Sequence, residues 1–309
     1  MQCEIGVLGS KVSGKAAARR LGADDQAEGL RRMLVCNQPQ IITLVSGKRG
    51  AGRTSVTLNL ATALCSAGRD VLILDENPAP HNLTDSVGLL ARHDLLDVIQ
   101  GRCQLVDAIV TAHGCAILPM ARLMRALPRL TVPEQQRLED ILREAGNGVD
   151  VMLIDAAMLE QEAVMSSSLA FGVRMLVVMD ATSSGITQSY ALIKRLALEH
   201  ARLHFEIVVN KVADEKTARI VFGNIEKVAR ANLAARLEYL GCILKDDRMK
   251  RSTQLGRAVV EAYPSAVSAR SCLALSQSVL NMTVQQYGLQ GDIARMMRTL
   301  IGQHKRQLA

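Results

Sequence analysis

The stretch Ile41 to Thr54 constrains the fold of this chain more than any other part of the sequence. It begins with a short apolar run, rich in β-branched residues, that stops at a glycine loop, which is the pattern of a buried strand. From Thr54 to Ala67 apolar side chains recur at helical spacing. A strand, a glycine loop and a helix N-terminus form an anion site, because free backbone N–H groups and the helix dipole both favour phosphate. The stretch therefore predicts phosphate binding.

The loop matches most of the P-loop template, which is Gly, four residues, Gly, Lys and Ser or Thr. Arg53 stands where the lysine belongs, and Thr54 supplies the magnesium-binding hydroxyl. A glycine loop that binds no phosphate is the alternative, but the position, flanks and hydroxyl favour a compromised nucleotide site. The predicted nucleotide-binding residues of the loop are Gly47, Lys48, Arg49, Gly50, Ala51, Gly52, Arg53, Thr54 and Ser55.

This stretch resembles the deviant P-loop of the MinD/ParA family of dimeric ATPases, whose pattern is Lys-Gly-Gly-x-Gly-Lys-Ser/Thr. Lys48 falls on the family's signature lysine, which reaches across the dimer to the partner's nucleotide, while Arg49 and Arg53 replace a glycine and the second lysine. The resemblance implies ATP or ADP with Mg²⁺ as cofactor and a nucleotide-dependent homodimer. It also implies an α/β P-loop NTPase fold, with a mostly parallel sheet and helices on both faces.

Two further predicted strands, Val71 to Leu74 and Asp150 to Ile154, are followed directly by the carboxylates Asp75 and Asp155. Carboxylates at strand ends beside a P-loop can hold magnesium through water and orient the attacking water. The predicted metal-side residues are therefore Thr54, Asp75 and Asp155.

The resemblance weakens where the family performs hydrolysis. Asn77 stands at the position of the water-positioning aspartate, and an amide cannot carry the negative charge. Met158 and Leu159 replace a glycine-containing turn, and neither takes a positive φ cheaply. We therefore assign no catalytic residue, although Asn77 and Lys48 occupy catalytic positions of the family, and we expect ATP hydrolysis to be weak or lost.

Three more strands complete the predicted P-loop domain, which extends over residues 40–288. They are Met175 to Met179, Ile207 to Val209 and Tyr239 to Leu244. The middle one precedes Asn210, and the family uses an asparagine at this place to recognise adenine. The resemblance therefore adds Asn210 to the nucleotide-binding residues.

The N-terminal segment is divided into a mobile leader, residues 1–23, and a helix over residues 24–35. The helix is similar to a motif of the flagellar-number regulators of the FlhG/FleN type, a branch of the same family. In that branch the motif stimulates a GTPase of the signal-recognition-particle (SRP) type. A short amphipathic helix folded onto its own domain is the alternative. The predicted partner-binding residues are Asp25, Gln26, Ala27, Leu30 and Arg31.

Residues 290–309 predict an amphipathic helix with a narrow apolar stripe and a basic tail. Such a helix can lie in an anionic membrane surface, but a helix packed on its own core gives the same stripe. The predicted membrane-contacting residues are Ile293, Met296, Met297, Leu300 and Ile301.

Composition limits the remaining choices. No stretch approaches the roughly 20 apolar residues of a spanning helix, and the N-terminus lacks a signal-peptide core. Seven scattered cysteines favour a cytosolic protein with reduced thiols. A net charge of +7 favours an anionic partner. We therefore expect a cytoplasmic protein that associates reversibly with the cytoplasmic face of the inner membrane.

The leading hypothesis is a nucleotide-responsive regulator of flagellar number and placement that acts with an SRP-type GTPase. A flagellar transcription activator is a further candidate partner, and no specific nucleic acid is expected. An active ATPase that cycles on the membrane is the first alternative. A ParA-like DNA-partitioning ATPase is the second, favoured by the basic charge.

Overall fold

A central sheet carries the elements that form the predicted site. The computed structural model describes residues 39–80, 82–157 and 174–282, all within one compact unit, Gln38–Ala309. The strands in these ranges are β1 (Gln40–Val45), β2 (Val71–Asp75), β3 (Val110–Ala112), β4 (Cys115–Pro119), β5 (Val151–Asp155), β6 (Arg174–Asp180), β7 (His204–Val212) and β8 (Arg236–Leu244).

These eight strands form one sheet in the order β3-β4-β2-β5-β1-β6-β7-β8. The short edge strand β3 is antiparallel to β4, and the other described pairs are parallel. The residues of β2 and β5 are all buried, as expected for parallel strands covered on both faces. The predicted α/β fold with a mostly parallel sheet is confirmed.

Helices lie on both faces of the sheet. They are α1 (Arg53–Ser66), α2 (Leu83–Ser86), α3 (Leu95–Ile99), α4 (Leu105–Ala108), α5 (Ala121–Ala126), α6 (Val132–Ala145), α7 (Ser183–His200), α8 (Glu215–Leu233), α9 (Asp247–Gln254), α10 (Val259–Ala262) and α11 (Val267–Asn281), with a 3-10 turn at Leu127–Arg129. None of these described helices is long and apolar enough to span a bilayer.

Side-chain alternation along β1 divides the core between the two faces. Ile42 and Leu44 pack with apolar residues of α1 and α11 on one face. Ile41 packs with α3, α5 and α6 on the other face. Val45 belongs to a third cluster with α7 and α8. Because successive strand residues point to opposite faces, Ile41 and Val45 share the face opposite to that of Ile42 and Leu44, where they join two different clusters. The P-loop that follows β1 is thus anchored in the middle of the molecule.

The predicted elements differ from the observed ones mainly at their ends. The strands predicted to stop before Asp75 and Asp155 include these residues, and β7 and β8 are both longer than predicted. The strands β3 and β4 were not predicted. The leader, the partner-binding helix, the turn at Met158 and Leu159, and the C-terminal helix lie outside the described residues.

A buried asparagine joins the P-loop helix α1 to the start of α10. Asn59, 2% exposed, donates from Nδ2 to Ser55 O at 2.8 Å and accepts at Oδ1 from Val259 N at 2.7 Å. The N-cap residue of α10, Ala258, forms no side-chain cap hydrogen bond of its own. The amide of Asn59 therefore satisfies a backbone donor that would otherwise be buried without a partner.

We predict that Asn59→Ala lowers the free energy of unfolding by about 1–3 kcal/mol, because it leaves the Val259 N–H buried and unsatisfied. The measurement is urea denaturation followed by circular dichroism. Asn232→Ala is the matched control, since the exposed Asn232 also donates to the carbonyl four residues earlier, at 2.9 Å. The control should change stability by less than about 0.5 kcal/mol. Equal losses in both variants would contradict the prediction.

Candidate phosphate-binding site

The loop between β1 and α1 leaves backbone donors available at a helix N-terminus. Gly50 and Gly52 have left-handed φ values of 74° and 92°. Gly52 is the N-cap of α1, and no side chain forms a cap hydrogen bond there. The first N–H groups of α1 consequently have no capping side chain, which is the arrangement that suits a phosphate.

Two glycines of the loop are required by close neighbours. A Cβ atom on Gly47 would lie 2.3 Å from the carbonyl oxygen of Gln188 in α7. A Cβ atom on Gly52 would lie 2.4 Å from Asn210 Nδ2, at a φ that favours glycine in any case. The loop is therefore packed closely between α7 and the end of β7.

Asn210 and its neighbour brace the loop through its carbonyl groups. Asn210 Nδ2 donates to Ala51 O at 2.7 Å, while Oδ1 accepts from Lys211 N at 2.9 Å. Lys211 Nζ donates to Gly50 O at 2.6 Å. Both polar groups of Asn210 are thus engaged within the protein, so its contact with the loop is structural in this arrangement. Sequence reasoning missed Lys211, whose only signal is its place beside a strand-end asparagine.

The guanidinium of Arg53 lies among the polar groups at the strand ends. The side chain is 8% exposed, and its Nε donates to Asp155 Oδ1 at 2.7 Å. Its Nη2 donates to Asn77 Oδ1 at 2.6 Å. The lysine of an ordinary P-loop reaches the β- and γ-phosphates instead. The structure therefore gives the substituted residue a different contact, a buried ion pair between α1 and β5.

Strand register explains why distant polar residues meet here. Asp75 of β2 pairs directly with Asp155 of β5, and Asp155 also pairs with Leu44 of β1. The carboxyl ends of these parallel strands share one edge with the loop, where ligands of open α/β sheets bind. The sheet thus brings Thr54, Asp75, Asn77 and Asp155 together.

Asp155 is fully buried and accepts hydrogen bonds from several side chains. Besides Arg53, Thr54 Oγ1 donates to its Oδ2 at 2.8 Å and Asn77 Nδ2 donates to the same oxygen at 2.8 Å. Thr57 Oγ1, which sequence reasoning missed, lies 3.2 Å from Oδ1. Each carboxylate oxygen therefore has at least two donors within the protein.

Asp75 is the second buried carboxyl group of the cluster. Its Oδ2 accepts from Leu83 N at 2.6 Å, and its Oδ1 accepts from Asn77 N at 3.0 Å. Burial and the charge of Asp155 raise the pKa of Asp75 to about 7, because they outweigh these hydrogen bonds. Asp75 can thus hold a proton near neutral pH, and its protonation reduces the repulsion between the two carboxyl groups.

The donor set suits a magnesium ion in its chemistry, since a threonine hydroxyl and two carboxyl groups supply hard oxygen ligands. In the structure these oxygens are already engaged, by Arg53 and Asn77 on Asp155 and by backbone N–H groups on Asp75. A metal bound through Thr54 and Asp155 would compete with these donors. The predicted metal-side residues therefore lie close together, but Asp155 is already paired with the positive charge of Arg53.

Lys48 is held within its own chain. Its Nζ lies 3.4 Å from Asp180 Oδ2 and 3.3 Å from Thr182 Oγ1, and its side chain is 30% exposed. Burial opposes ionisation of Asp180, but hydrogen bonds from Thr182 and the Lys48 charge outweigh it and lower the pKa of the carboxyl. Asp180 and Thr182 were not predicted as site residues, although their position after a buried strand is a usable signal.

The structure also describes the two remaining loop residues, Arg49 and Ser55. Arg49 is exposed at the tip of the loop. Ser55 is half-buried, and its Oγ lies 3.6 Å from Met249 Sδ in α9.

Comparison with known proteins identifies the family to which this chain is related. A family model described as an AAA domain matches residues 39–207. The antiactivator FleN of Pseudomonas aeruginosa is 32% identical over 251 residues, which are 81% of this chain and 89% of that protein. The flagellum site-determining protein YlxH of Helicobacter pylori is 25% identical over 239 residues, which are 75% of this chain and 79% of that protein.

The solved structures give the same fold. The cell division protein MinD of Aquifex aeolicus superposes with a TM-score of 0.61 at 22% identity, covering 79% of this chain and 98% of that one. Because the family model spans more than half of the chain and the Pseudomonas protein matches most of it, this chain belongs to the MinD/ParA family of P-loop ATPases and, within it, to the FlhG/FleN type.

Proposed function

We propose that this chain is a nucleotide-responsive regulator of flagellar number and placement that acts with an SRP-type GTPase. Nucleotide binding is supported by the N-terminus of α1, whose N-cap residue, Gly52, has no side chain to cap it, and by the glycine loop before it, which Asn210 holds in place. The flagellar part rests on the two flagellar relatives and on the motif around Gln26.

The proposed chemistry is nucleotide binding with slow hydrolysis. Phosphoryl transfer depends on positioned charge at the γ-phosphate. The guanidinium of Arg53 is engaged with Asp155, and Asn77 has no negative charge with which to orient water. Backbone N–H groups need neither residue to hold a phosphate. The engagement of Arg53 and the missing charge at Asn77 therefore lower the rate of hydrolysis more than the affinity, so the bound nucleotide persists and the protein responds to which one is bound.

A nucleotide-dependent homodimer is part of the proposal. The pair between Lys48 and Asp180 is partly exposed and 3.4 Å long, and such pairs contribute little to stability. The lysine can therefore leave its own chain at small cost. We propose that it turns to the nucleotide of a second copy when the dimer forms.

Two further contacts are proposed from the relatives and from the sequence. The Pseudomonas relative is an antiactivator, so a flagellar transcription activator is a proposed partner of this chain. The stripe within residues 290–309 is the proposed contact with an anionic membrane surface.

Substitution of Gly52 tests the nucleotide site. We predict that Gly52→Ala weakens ADP binding at least about tenfold, because the added Cβ would displace Asn210 from the loop. Gly50→Ala is the matched control, since its φ is also left-handed but no atom lies within 4 Å of its Cβ position. Isothermal titration calorimetry gives the affinities. Equal losses in the two variants would contradict the proposed role of the brace.

Turnover measured on the wild-type sample separates the regulator from the active ATPase. We expect phosphate release far below the enzyme median of about 10 per second. Turnover near that median, abolished by Arg53→Ala, would support a working ATPase instead.

The partner proposal is tested by removing residues 1–35. We expect the shortened protein to keep its circular dichroism spectrum and its melting temperature but to lose stimulation of an SRP-type flagellar GTPase. Gln26→Ala with Leu30→Ala in the full chain is the milder variant, which should reduce stimulation. An unfolded truncation product would mean that the segment belongs to the core, and the partner proposal would fail.

The membrane proposal is tested on the tail. We predict that Leu300→Glu with Ile301→Glu releases the protein from anionic liposomes, because charges on an apolar stripe oppose insertion. Sedimentation with vesicles of phosphatidylglycerol and phosphatidylethanolamine measures the bound fraction. Arg306→Gln is the control for simple charge attraction and should have the smaller effect. Full binding by the double variant would place the contact elsewhere.

A further inference from the structure

The contact between Arg53 and Asp155 places a permanent positive charge at a carboxylate that P-loop proteins use on the metal side. The guanidinium cannot lose its proton in a protein. Both side chains are buried, at 8% and 0% exposure, and they meet at 2.7 Å. The cluster thus contains its own cation before any ligand binds.

The amide of Asn77 fits between the Arg53 guanidinium and the neighbouring carboxyl groups, whereas an aspartate would not. Its Oδ1 accepts from Arg53 at 2.6 Å, while its Nδ2 lies 2.8 Å from Asp155 Oδ2 and 3.0 Å from Asp75 Oδ1. One end of the amide therefore faces the guanidinium and the other faces two carboxyl groups. A carboxylate at this position would place a third negative group against Asp75 and Asp155. Two of the departures from the family pattern, Arg53 and Asn77, thus form one complementary unit.

Releasing Arg53 from this unit is costly. A buried ion pair broken on one side leaves an uncompensated charge in a site of low dielectric, and this penalty is larger than the net value of the pair itself. Mg²⁺ bound near Asp155 would have to displace the guanidinium or lie beside it. Two positive groups would then share one carboxylate.

We infer that Arg53 is an internal cation that takes over the charge-neutralising role of Mg²⁺ at Asp155, so that nucleotide binding by this loop depends little on divalent metal. The inference rests on the proposed nucleotide binding and concerns its metal requirement. In an ordinary P-loop site the metal bridges the β- and γ-phosphates and neutralises their charge. Here the phosphates are held by the backbone donors of the loop and the N-terminus of α1.

The test compares nucleotide affinity with and without divalent metal. Calorimetry measures binding of ADP and of a non-hydrolysable ATP analogue, in excess MgCl₂ and in excess EDTA at equal ionic strength. We expect the wild-type affinities in the two buffers to agree within about twofold. In Arg53→Lys the shorter ammonium loses the two-pronged contact with Asp155 and Asn77, so removal of Mg²⁺ should weaken binding by about tenfold or more.

Arg174→Lys is the matched control. Arg174 forms a partly buried ion pair with Glu206 at 3.4 Å, and it lies at the start of β6, whereas the P-loop lies at the strand ends. This variant should remain as independent of Mg²⁺ as the wild type.

The outcomes separate the inference from the function on which it rests. A wild-type affinity that falls more than about tenfold in EDTA would overturn the inference, while nucleotide responsiveness would stand. An Arg53→Lys variant that folds and binds equally well in both buffers would also overturn it, because the arginine would not be the cause. If the wild type binds nucleotide in neither buffer, both the inference and the proposed nucleotide binding would be refuted. The wild-type comparison needs no variant to fold.

Discussion

The buried ion pair between Arg53 and Asp155 is the interaction on which the arrangement of this site depends. It joins the first residue of α1 to the last residue of β5, and β5 lies between β1 and β2 in the sheet. The register of β2 and β5 adds Asp75 at the same level. Helix α1 and strands β2 and β5 are therefore connected at Asp155. The charge of its carboxylate arranges the surrounding hydroxyl and amide groups.

A second set of contacts fixes the loop from the opposite side. Asn210 and Lys211 bind carbonyl groups at Ala51 and Gly50, and the packing of Gly47 against α7 leaves no space for a side chain. With these carbonyl groups held by the protein, the N–H groups at the uncapped N-terminus of α1 can face an anion. Such preorganisation reduces the ordering cost of binding, which compensates in part for a loop that lacks its usual lysine.

The sequence predicted the fold well because its signals there are local. Short apolar runs that end in polar residues located β1, β2, β5 and β6 within one or two residues, and the residues of the glycine loop carried the resemblance to the family. The edge strand β3 has three residues and one buried side chain, so it lacks a periodic pattern to detect. The lengths of β7 and β8 were underestimated because a polar residue interrupts the apolar pattern of each strand, at Glu206 and at Glu238, which pair with each other.

The site was harder to predict, since a motif gives residue types but no side-chain directions. Substitution of lysine by arginine predicted a compromised nucleotide site without saying where the side chain goes, and in the structure this side chain reaches Asp155 and Asn77. Each change taken alone looks like the loss of a catalytic part. Together they form a neutral, hydrogen-bonded arrangement, in which the amide accepts from the guanidinium and donates to the carboxylate. In the proposed regulator such a pair suits a stable binding state rather than turnover, because these contacts hold Arg53 and Asp155 to each other, whereas phosphoryl transfer requires charge positioned at the γ-phosphate.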